Sequence, residues 1–301
     1  MTDVLVLLAR LMLFVIVVLF GFTGCGGEEF SSRDTPSEEP ETPEPYHKVI
    51  EATTGFLALW PMNETTGNVA TATSGIATLT NIDGVYQPGA TPGSEGAFFH
   101  KETGANFAPD LDGTTGYVEV PFNLQLNPEM NPPVFSVELW AKPAGAIPAG
   151  EEQILVSSHH TSATGNNRGY EIALVGTGAG NATVRGRVFD IMAGATTVDV
   201  TLASGDPVAW RHIVLTYDGP TNTLRVYATV TETAFDTTPY DATGDYSPVQ
   251  AGGAGERPLR FGAGHLQTGE PEKFFAGRID EVAFYQGVVP DVTVEAHFNL
   301  F

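Results

Sequence analysis

Cysteine and basic residues are both scarce in this 301-residue chain. The single cysteine is Cys25, so an intramolecular disulfide is excluded, and the fold must be stabilised by its core, by bound ions or by both. Only 14 Lys and Arg residues stand against 36 Asp and Glu, and the formal net charge is −22. Because a nucleic-acid binder needs basic side chains to neutralise phosphates, this charge balance argues against that class of protein.

Recognisable catalytic motifs are absent as well. The sequence has no G-x-S-x-G nucleophile elbow, and Cys25 lies at the edge of an apolar N-terminal run, which excludes a thiol nucleophile. His159 and His160 are adjacent, so in a strand they point to opposite faces and are not expected to share a zinc ion. Glu151 and Glu152 diverge in the same way. The sequence therefore predicts a protein that is not an enzyme.

The N-terminal residues are typical of a targeting segment. Residues 4–22 are apolar apart from Arg10, and the uninterrupted run covers residues 11–22. That run is shorter than the ~20 residues that span a bilayer but suits the hydrophobic region of a signal peptide. Gly24-Cys25 then resembles a bacterial lipobox, which implies a signal peptide over residues 1–24, a lipid on Cys25 and a place in the cell envelope, periplasmic or on the surface. The alternative is an uncleaved anchor that uses all of residues 4–22.

An acidic, proline-rich stretch follows the cysteine. Residues 26–45 carry seven acidic side chains and one arginine, with repeated proline. Such a segment cannot bury enough apolar area to fold. We therefore predict a disordered linker over residues 25–49 that holds a single domain, residues 50–301, away from the membrane.

The remainder of the chain carries strand patterns. Gly and Pro together number 34 plus 21 residues, an excess that favours short strands and tight turns. Within 135–141, Phe135, Val137 and Leu139 alternate with polar or aromatic neighbours. Further strands are predicted at 153–158, 169–174, 184–191, 196–201, 223–230 and 258–262. A short helix is predicted to begin at Pro290.

Five motifs, in this order, carry a resemblance to a known family. They are FLALWPMNETTG at 56–67, LDGTTGYVEVP at 111–121, FSVELWAKP at 135–143, WRHIVLTYDG at 210–219 and GRIDEVAFY at 277–285. Together they resemble the laminin-G-like, or concanavalin A-like, domain. The resemblance implies an all-β fold, a two-sheet antiparallel jelly-roll sandwich. It does not decide function, because this architecture serves binding, structural and catalytic proteins.

The resemblance also implies a structural calcium ion. In such domains an aspartate on the closing strand often helps to hold the cation, and Asp280 falls on that position. Strict alternation puts Asp280 on the same face as Val282 and Phe284, where an unpaired carboxylate is costly to bury. A hard cation with oxygen ligands would remove that cost. The alternative for Asp280 is an ion pair with Arg278. Asp112 is a second candidate ligand, although an Asp-Gly pair also makes turns.

Two sets of side chains, each on one face of a predicted strand, are the candidate ligand-binding residues. Glu138 and Trp140 share one strand face with Ser136, and Arg185 and Arg187 share another with Phe189. If the two strands are neighbours, they would form one polar and aromatic surface suited to sugar rings and hydroxyl groups. The alternative for Trp140 is packing beneath a covering loop.

The sequence thus predicts a lipid-anchored, extracytoplasmic module that binds a glycan or a cell-surface protein without catalysis, with structural calcium. The Glu-x-Asp-x-Glu triplet of jelly-roll glucanases, which supplies paired carboxylates, does not occur. Two alternatives remain open: a polysaccharide hydrolase or lyase with an unrecognised active site, and a structural or adhesive envelope protein.

Overall fold

The computed structural model describes residues 45–102, 106–126, 133–162, 164–178, 180–202, 208–231, 234–235, 240–249 and 256–301. Cys25 and nearly all of the predicted linker lie outside these residues, so the lipidation prediction stays a prediction. Among the described residues, no helix has both the length and the apolar character needed to cross a bilayer.

The described part of the chain is mostly strand. In chain order the strands are β1 (Phe56–Trp60), β2 (Val69–Ala70), β3 (Thr73–Ser74), β4 (Gly84–Tyr86), β5 (Ala90–Glu95), β6 (Phe107–Asp112), β7 (Val118–Val120), β8 (Val134–Pro143), β9 (Glu152–Ser157), β10 (His160–Thr161), β11 (Asn167–Gly178), β12 (Asn181–Asp190), β13 (Gly194–Thr201), β14 (Arg211–Asp218), β15 (Thr223–Thr231), β16 (Ala234–Phe235), β17 (Tyr240–Thr243), β18 (Leu259–Phe261), β19 (Gly264–His265), β20 (Pro271–Glu272) and β21 (Ala276–Gln286). The helices are α1 (Tyr46–Ala52) and α2 (Asp291–Phe298), with a 3₁₀ turn at Leu124–Leu126. All six additional strands predicted from alternation are present.

These strands form two antiparallel sheets. Ten described strands form the first, in the order β16-β15-β14-β8-β21-β1-β3, with β17 beside β15 and with β6 joining β21 to β5. Nine form the second, in the order β13-β12-β11-β9-β18-β7-β4-β2, with β10 beside β11. Strands β19 and β20 form a separate hairpin. The predicted two-sheet sandwich is confirmed.

The main core lies between the two sheets. It contains Val137 and Leu139 of β8 packed with the inward residues of β11 and β12, such as Ile172 and Val184. Each fully buried aliphatic side chain contributes about 1.5–3 kcal/mol. The sheets approach closely at Gly186, where an added Cβ would come within 2.3 Å of Val226 on the opposite sheet.

A second core lies on the outer face of the ten-stranded sheet, where the two helices cover it. Trp140 is at its centre, and Tyr46, Ile50, Val294 and Phe298 come from the helices. Helix α2 begins after Pro290, as predicted. Helix α1 begins inside the predicted linker, and Tyr46 is buried. The folded body therefore starts before residue 50.

The closing strand β21 contains a β-bulge. Its register with β8 shifts between Asp280 and Ala283, and Glu281 adopts a φ of 50°. Ile279, Val282 and Phe284 consequently all belong to the main core. Asp280 is paired instead with Trp140, whose side chain belongs to the second core. The predicted sharing of a face by Asp280, Val282 and Phe284 is therefore wrong, because one extra residue reverses the alternation.

Candidate functional site

Trp140 and Glu138 are not on an open surface. Both are fully buried on the outer face of the ten-stranded sheet. The Trp140 ring stacks on Phe301, with 4.5 Å between ring centroids, and on His212 at 4.9 Å. The expected ligand-binding set on β8 is therefore wrong, and the covered position that was its alternative is the one observed.

Glu138 joins both helices to the sheet. Its carboxylate accepts hydrogen bonds from the hydroxyls of Tyr46 (2.8 Å) and Tyr285 (2.7 Å). The Nε2 atom of His212 lies 2.6 Å from it, and the Nδ1 atom of His297 lies 3.0 Å away. Burial alone would raise the pKa of this carboxyl, but the two histidines outweigh that effect and lower it. Glu138 is therefore an anchor of the fold.

Arg185 and Arg187 lie on the outer face of the other, nine-stranded sheet, so the two predicted sets do not form one surface. The Arg185 guanidinium binds Asp199 through two hydrogen bonds of 2.8 Å each. The Nη2 atom of Arg187 contacts Glu152 and also lies 3.1 Å from Oε2 of Glu171. The register of β11, β12 and β13 explains this grouping, because Arg187 pairs with Glu171 and Arg185 with Asp199.

A lysine completes this group. The Nζ atom of Lys273 lies 2.8 Å from Glu152, which Arg185 also approaches at 3.8 Å. We call the six residues Glu152, Glu171, Arg185, Arg187, Asp199 and Lys273 the charged patch. Its rim is open to solvent, since the side chains of Lys273 and Asp199 are 41% and 43% exposed. Three of the 14 basic residues of a strongly acidic chain thus meet at one place.

The two glutamates of the charged patch differ in acidity. Glu171 is buried, and burial raises its pKa to about 7 against the opposing effect of Arg187. The pKa of Glu152 is lowered, because Lys273 and Arg187 outweigh its partial burial. Glu171 is therefore the carboxyl group of the patch that takes up a proton most readily near neutral pH.

The β19–β20 hairpin and an aromatic pair border the charged patch. A Cβ built on Gly264 of the hairpin would lie 3.4 Å from Oε1 of Glu171, so the hairpin lies against this glutamate. The His159 ring lies flat on Phe189, with 3.9 Å between ring centroids. Burial lowers the pKa of His159 to about 4, so its imidazole is neutral.

Glu171, Asp199 and Lys273 were not among the residues predicted from the sequence, and Glu152 was considered only with Glu151. Glu171 and Asp199 lie in strands predicted at 169–174 and 196–201, but alternation does not show which strands are neighbours. Lys273 comes from a loop, where no periodic signal exists. Only the sheet order brings these side chains to the two arginines.

Asp280 lies in a buried acidic site. Its carboxylate accepts hydrogen bonds from the backbone N–H groups of Ala97 (2.8 Å) and Glu281 (3.0 Å). Glu281 is also buried, and its Oε1 accepts a hydrogen bond of 3.1 Å from Nδ2 of Asn106. Its Oε2 atom has no partner among the described residues. Burial raises the pKa of both carboxyls, and their mutual repulsion raises that of Glu281 further.

Both carboxylate oxygens of Asp112 accept hydrogen bonds within one turn. Its Oδ1 accepts three backbone hydrogen bonds of 2.8 Å, from Thr114, Thr115 and Gly116, and its Oδ2 accepts both threonine hydroxyls. Burial alone would raise the pKa of Asp112, but these hydrogen bonds together outweigh that effect and lower it. This geometry favours the turn interpretation over the cation interpretation. Across the described ranges, no cluster of three or more His, Cys, Asp or Glu side chains is arranged to hold a metal ion.

Solved structures of toxin binding domains share this fold. The binding domain of botulinum neurotoxin DC in complex with SialylT is 11% identical, with a TM-score of 0.54 over 84% of this chain and 52% of its own. Botulinum neurotoxin type C, whose cell entry depends on interaction with two ganglioside molecules, is 10% identical, with a TM-score of 0.54 over 85% and 53%. The binding domain of Paraclostridial Mosquitocidal Protein 1 is 15% identical, with a TM-score of 0.51 over 83% and 52%.

The likeness to these binding domains concerns the fold alone. The chain spans about half the length of the toxin binding domains that it matches. No curated protein is similar enough to this chain to count as a relative.

The family assignment comes from the sequence. A laminin-G-type family, described as the concanavalin A-like lectin/glucanases superfamily, matches residues 112–294, which is more than half of the chain and includes most of both sheets. The chain therefore belongs to the concanavalin A-like lectin/glucanases superfamily.

Proposed function

We propose that this protein is a non-catalytic carbohydrate-binding module whose charged patch binds a saccharide that bears a carboxylate. The observation that carries the proposal is the meeting of Arg185, Arg187 and Lys273 on one open sheet face. Arginine and lysine donate charge-assisted hydrogen bonds to carboxylates. Glu152 and Asp199 accept hydrogen bonds, so the same surface can also bind sugar hydroxyls.

Two further findings support carbohydrate binding. The superfamily is one of lectins as well as glucanases. Similar solved structures include binding domains whose ligands are SialylT and gangliosides. Binding without turnover is favoured because the Glu-x-Asp-x-Glu triplet, which supplies the paired carboxylates of jelly-roll glucanases, does not occur in the sequence.

Calcium at the Asp280 site is the second part of the proposal. Calcium prefers several oxygen ligands, including carboxylates and carbonyls. The unpartnered Oε2 of Glu281 is the atom that fits this requirement best, with Asp280 beside it. The cation would neutralise two carboxyls that are otherwise costly to bury as anions. Its role here is structural.

A lipid on Cys25 is the third part. The only cysteine of the chain stands directly after Gly24 at the end of the apolar N-terminal run. The module would then work outside the cytoplasm, tethered to the bacterial cell envelope. Incorporation of labelled lipid that persists in Cys25→Ala would contradict this part.

Binding of sialylated and uronate-containing oligosaccharides to the full chain tests the charged patch. We expect affinity to fall at least about tenfold in the double variant Arg185→Gln/Arg187→Gln, because two charge-assisted hydrogen bonds are lost. Arg278→Gln is the matched control, since the Arg278 side chain is 28% exposed against 30% for Arg185 and pairs with Asp110 on the other sheet. Unchanged affinity in the double variant, or release of reducing ends from any saccharide, would overturn the proposal. Binding only to a surface protein would do the same.

A further inference from the structure

Among the described residues, helices α1 and α2 cover only part of the outer face of the ten-stranded sheet. Trp140 belongs to the second core and stacks on His212, and most strand positions beyond these two residues carry polar side chains. Register places two cross-strand rows there. The first runs through Ser136, Thr216, Arg225 and Asp241, and the second runs through Val134, Asp218, Thr223 and Thr243.

Six of these eight residues, all except Ser136 and Thr243, line a groove of about 610 Å³. The volume is within the range of about 300–1,000 Å³ that small-ligand sites occupy. Its polar lining consists of Thr216, Asp218, Thr221, Thr223, Arg225 and Asp241. Val134 and Val288 give it two apolar flanks.

The polar side chains of the groove hold one another in place. Thr221 Oγ1 donates to Asp218 at 2.7 Å and contacts the Thr223 hydroxyl at 2.9 Å. The Arg225 guanidinium contacts Asp241 at 3.2 Å and Asp291 at 3.5 Å. Groups that are already oriented lose little conformational entropy when a ligand binds, so the groove is preorganised.

Hydrogen-bonding capacity nevertheless remains. Within the described part of the chain, Oδ1 of Asp218 and Oδ1 of Asp241 accept no hydrogen bond. A carboxylate oxygen accepts from hydroxyl donors, while threonine hydroxyls both donate and accept. This mixture, with valine methyl groups at the sides, matches a sugar ring that has hydroxyls at its edge and C–H groups on its faces.

The charge of the groove restricts the ligand. Two lining carboxylates, with Asp291 nearby, outnumber the single guanidinium of Arg225. A carboxylate-bearing saccharide would be repelled here, in contrast to the charged patch on the opposite sheet. We propose that this groove is a second binding site and that it takes a neutral saccharide.

The proposal goes beyond the charged patch and does not depend on it. The two sites lie on different sheets, since Arg185 is on β12 and Arg225 on β15. One molecule would therefore present an acidic-glycan site and a neutral-glycan site on opposite faces.

Calorimetric titration of the full chain with neutral gluco-, manno- and galacto-hexaoses tests the groove. We expect at least one of them to bind, and Asp241→Asn and Thr223→Val each to weaken it about tenfold. Asp241→Asn replaces a charged accepting oxygen with an amide donor, and Thr223→Val removes a hydroxyl that can bond to the sugar. Thr73→Val, at an exposed position of β3 on the opposite edge of the ten-stranded sheet, is the matched control and should change nothing. Asp218→Asn provides a third groove variant if either substitution lowers the melting temperature.

The results separate the two proposals. Loss of neutral-saccharide binding in the groove variants, with acidic-saccharide binding intact, supports the groove. Absence of binding by all three hexaoses overturns it, as does binding that only Arg185→Gln/Arg187→Gln abolishes. In that last case the charged patch remains as the site of the proposed function.

Discussion

At the scale of single residues, Glu138 is the point at which both helices are fixed to the sheet. A buried carboxylate is stable only when its charge and its lone pairs are matched. Here two tyrosine hydroxyls and two histidine rings surround it. The sequence indicated that Glu138 and Trp140 share a face, but alternation alone does not show whether another element covers that face.

Replacing Glu138 by glutamine should destabilise the protein by about 3–5 kcal/mol, because the four buried side chains around it lose a charged hydrogen-bond partner. The pKa of Glu138 is lowered in the fold, so this stability is present above the unfolded pKa and is lost as the pH falls through the folded value. Urea unfolding at neutral and at acid pH measures both effects. Glu295→Gln, on the exposed face of α2, is the control. Equal stability of Glu138→Gln and the parent at neutral pH would contradict the role of Glu138.

Glu171 should make saccharide binding depend on pH. Its pKa is about 7, raised by burial, so a negative charge develops beside Arg187 as the pH rises through that value. We expect affinity for a carboxylate-bearing saccharide to fall between about pH 6 and pH 8. In Glu171→Gln the fall should disappear, because no charge can form. Titration calorimetry of both proteins at the two pH values checks this, and an identical pH profile in the variant would exclude Glu171 as the cause.

The raised pKa of Glu171 should also make the free energy of unfolding depend on pH. A carboxyl group whose pKa is raised on folding binds more protons in the native state, so stability falls as the pH rises from its unfolded value, near 4.5, through about 7. Glu171→Gln should therefore flatten this part of the stability profile.

At the scale of elements, the strands were predictable from the sequence, but the elements that cover them were not. Alternation identified β8, β9, β11 to β15 and β18, because a strand that packs on one side repeats every two residues. It failed at β21, where the bulge at Glu281 reverses the faces and places Asp280 beside Trp140. It could not place α1, because Tyr46 and Ile50 are only two apolar anchors at the end of a polar, proline-rich segment.

Helix α1 should contribute substantially to stability. Tyr46 stacks on Phe98, with ring centroids 4.2 Å apart, besides binding Glu138. We expect Tyr46→Ala to cost about 3–5 kcal/mol, as buried aromatic truncations do. Tyr46→Phe should cost about 1 kcal/mol, because it removes the hydrogen bond alone. Denaturant midpoints measure both effects, and Lys48→Ala, at an exposed position of the same helix, is the control. If Tyr46→Ala left the stability unchanged, α1 would not belong to the folded body.

At the scale of the whole molecule, a fold without disulfides encloses several charged groups. The five motifs predicted the sandwich because they mark strands that the family shares. They did not predict the charged patch, which depends on the order β9-β11-β12-β13 and on Lys273 from a loop. Neither did they predict the groove, whose rows come from four neighbouring strands, β8, β14, β15 and β17.

Calcium should raise the melting temperature of the whole domain. A ligand that binds only the folded state at 100 times its Kd adds about 2.7 kcal/mol. The gain should increase with pH, because burial and mutual repulsion raise the pKa values of Asp280 and Glu281, and both must lose protons to bind the cation. Differential scanning calorimetry in calcium and in chelator measures it. Glu281→Gln should abolish the gain, and equal melting temperatures of the parent under both conditions would remove the calcium proposal.

The position of α1 also determines how the folded body responds to mechanical force. Tension on the chain that precedes residue 45 would reach the domain at Tyr46, beside Glu138 and the C-terminal helix. The load would be shared among several buried bonds at once, and it would not peel strands one by one from a sheet edge. Both faces that carry the proposed sugar sites would keep their shape while the molecule is pulled.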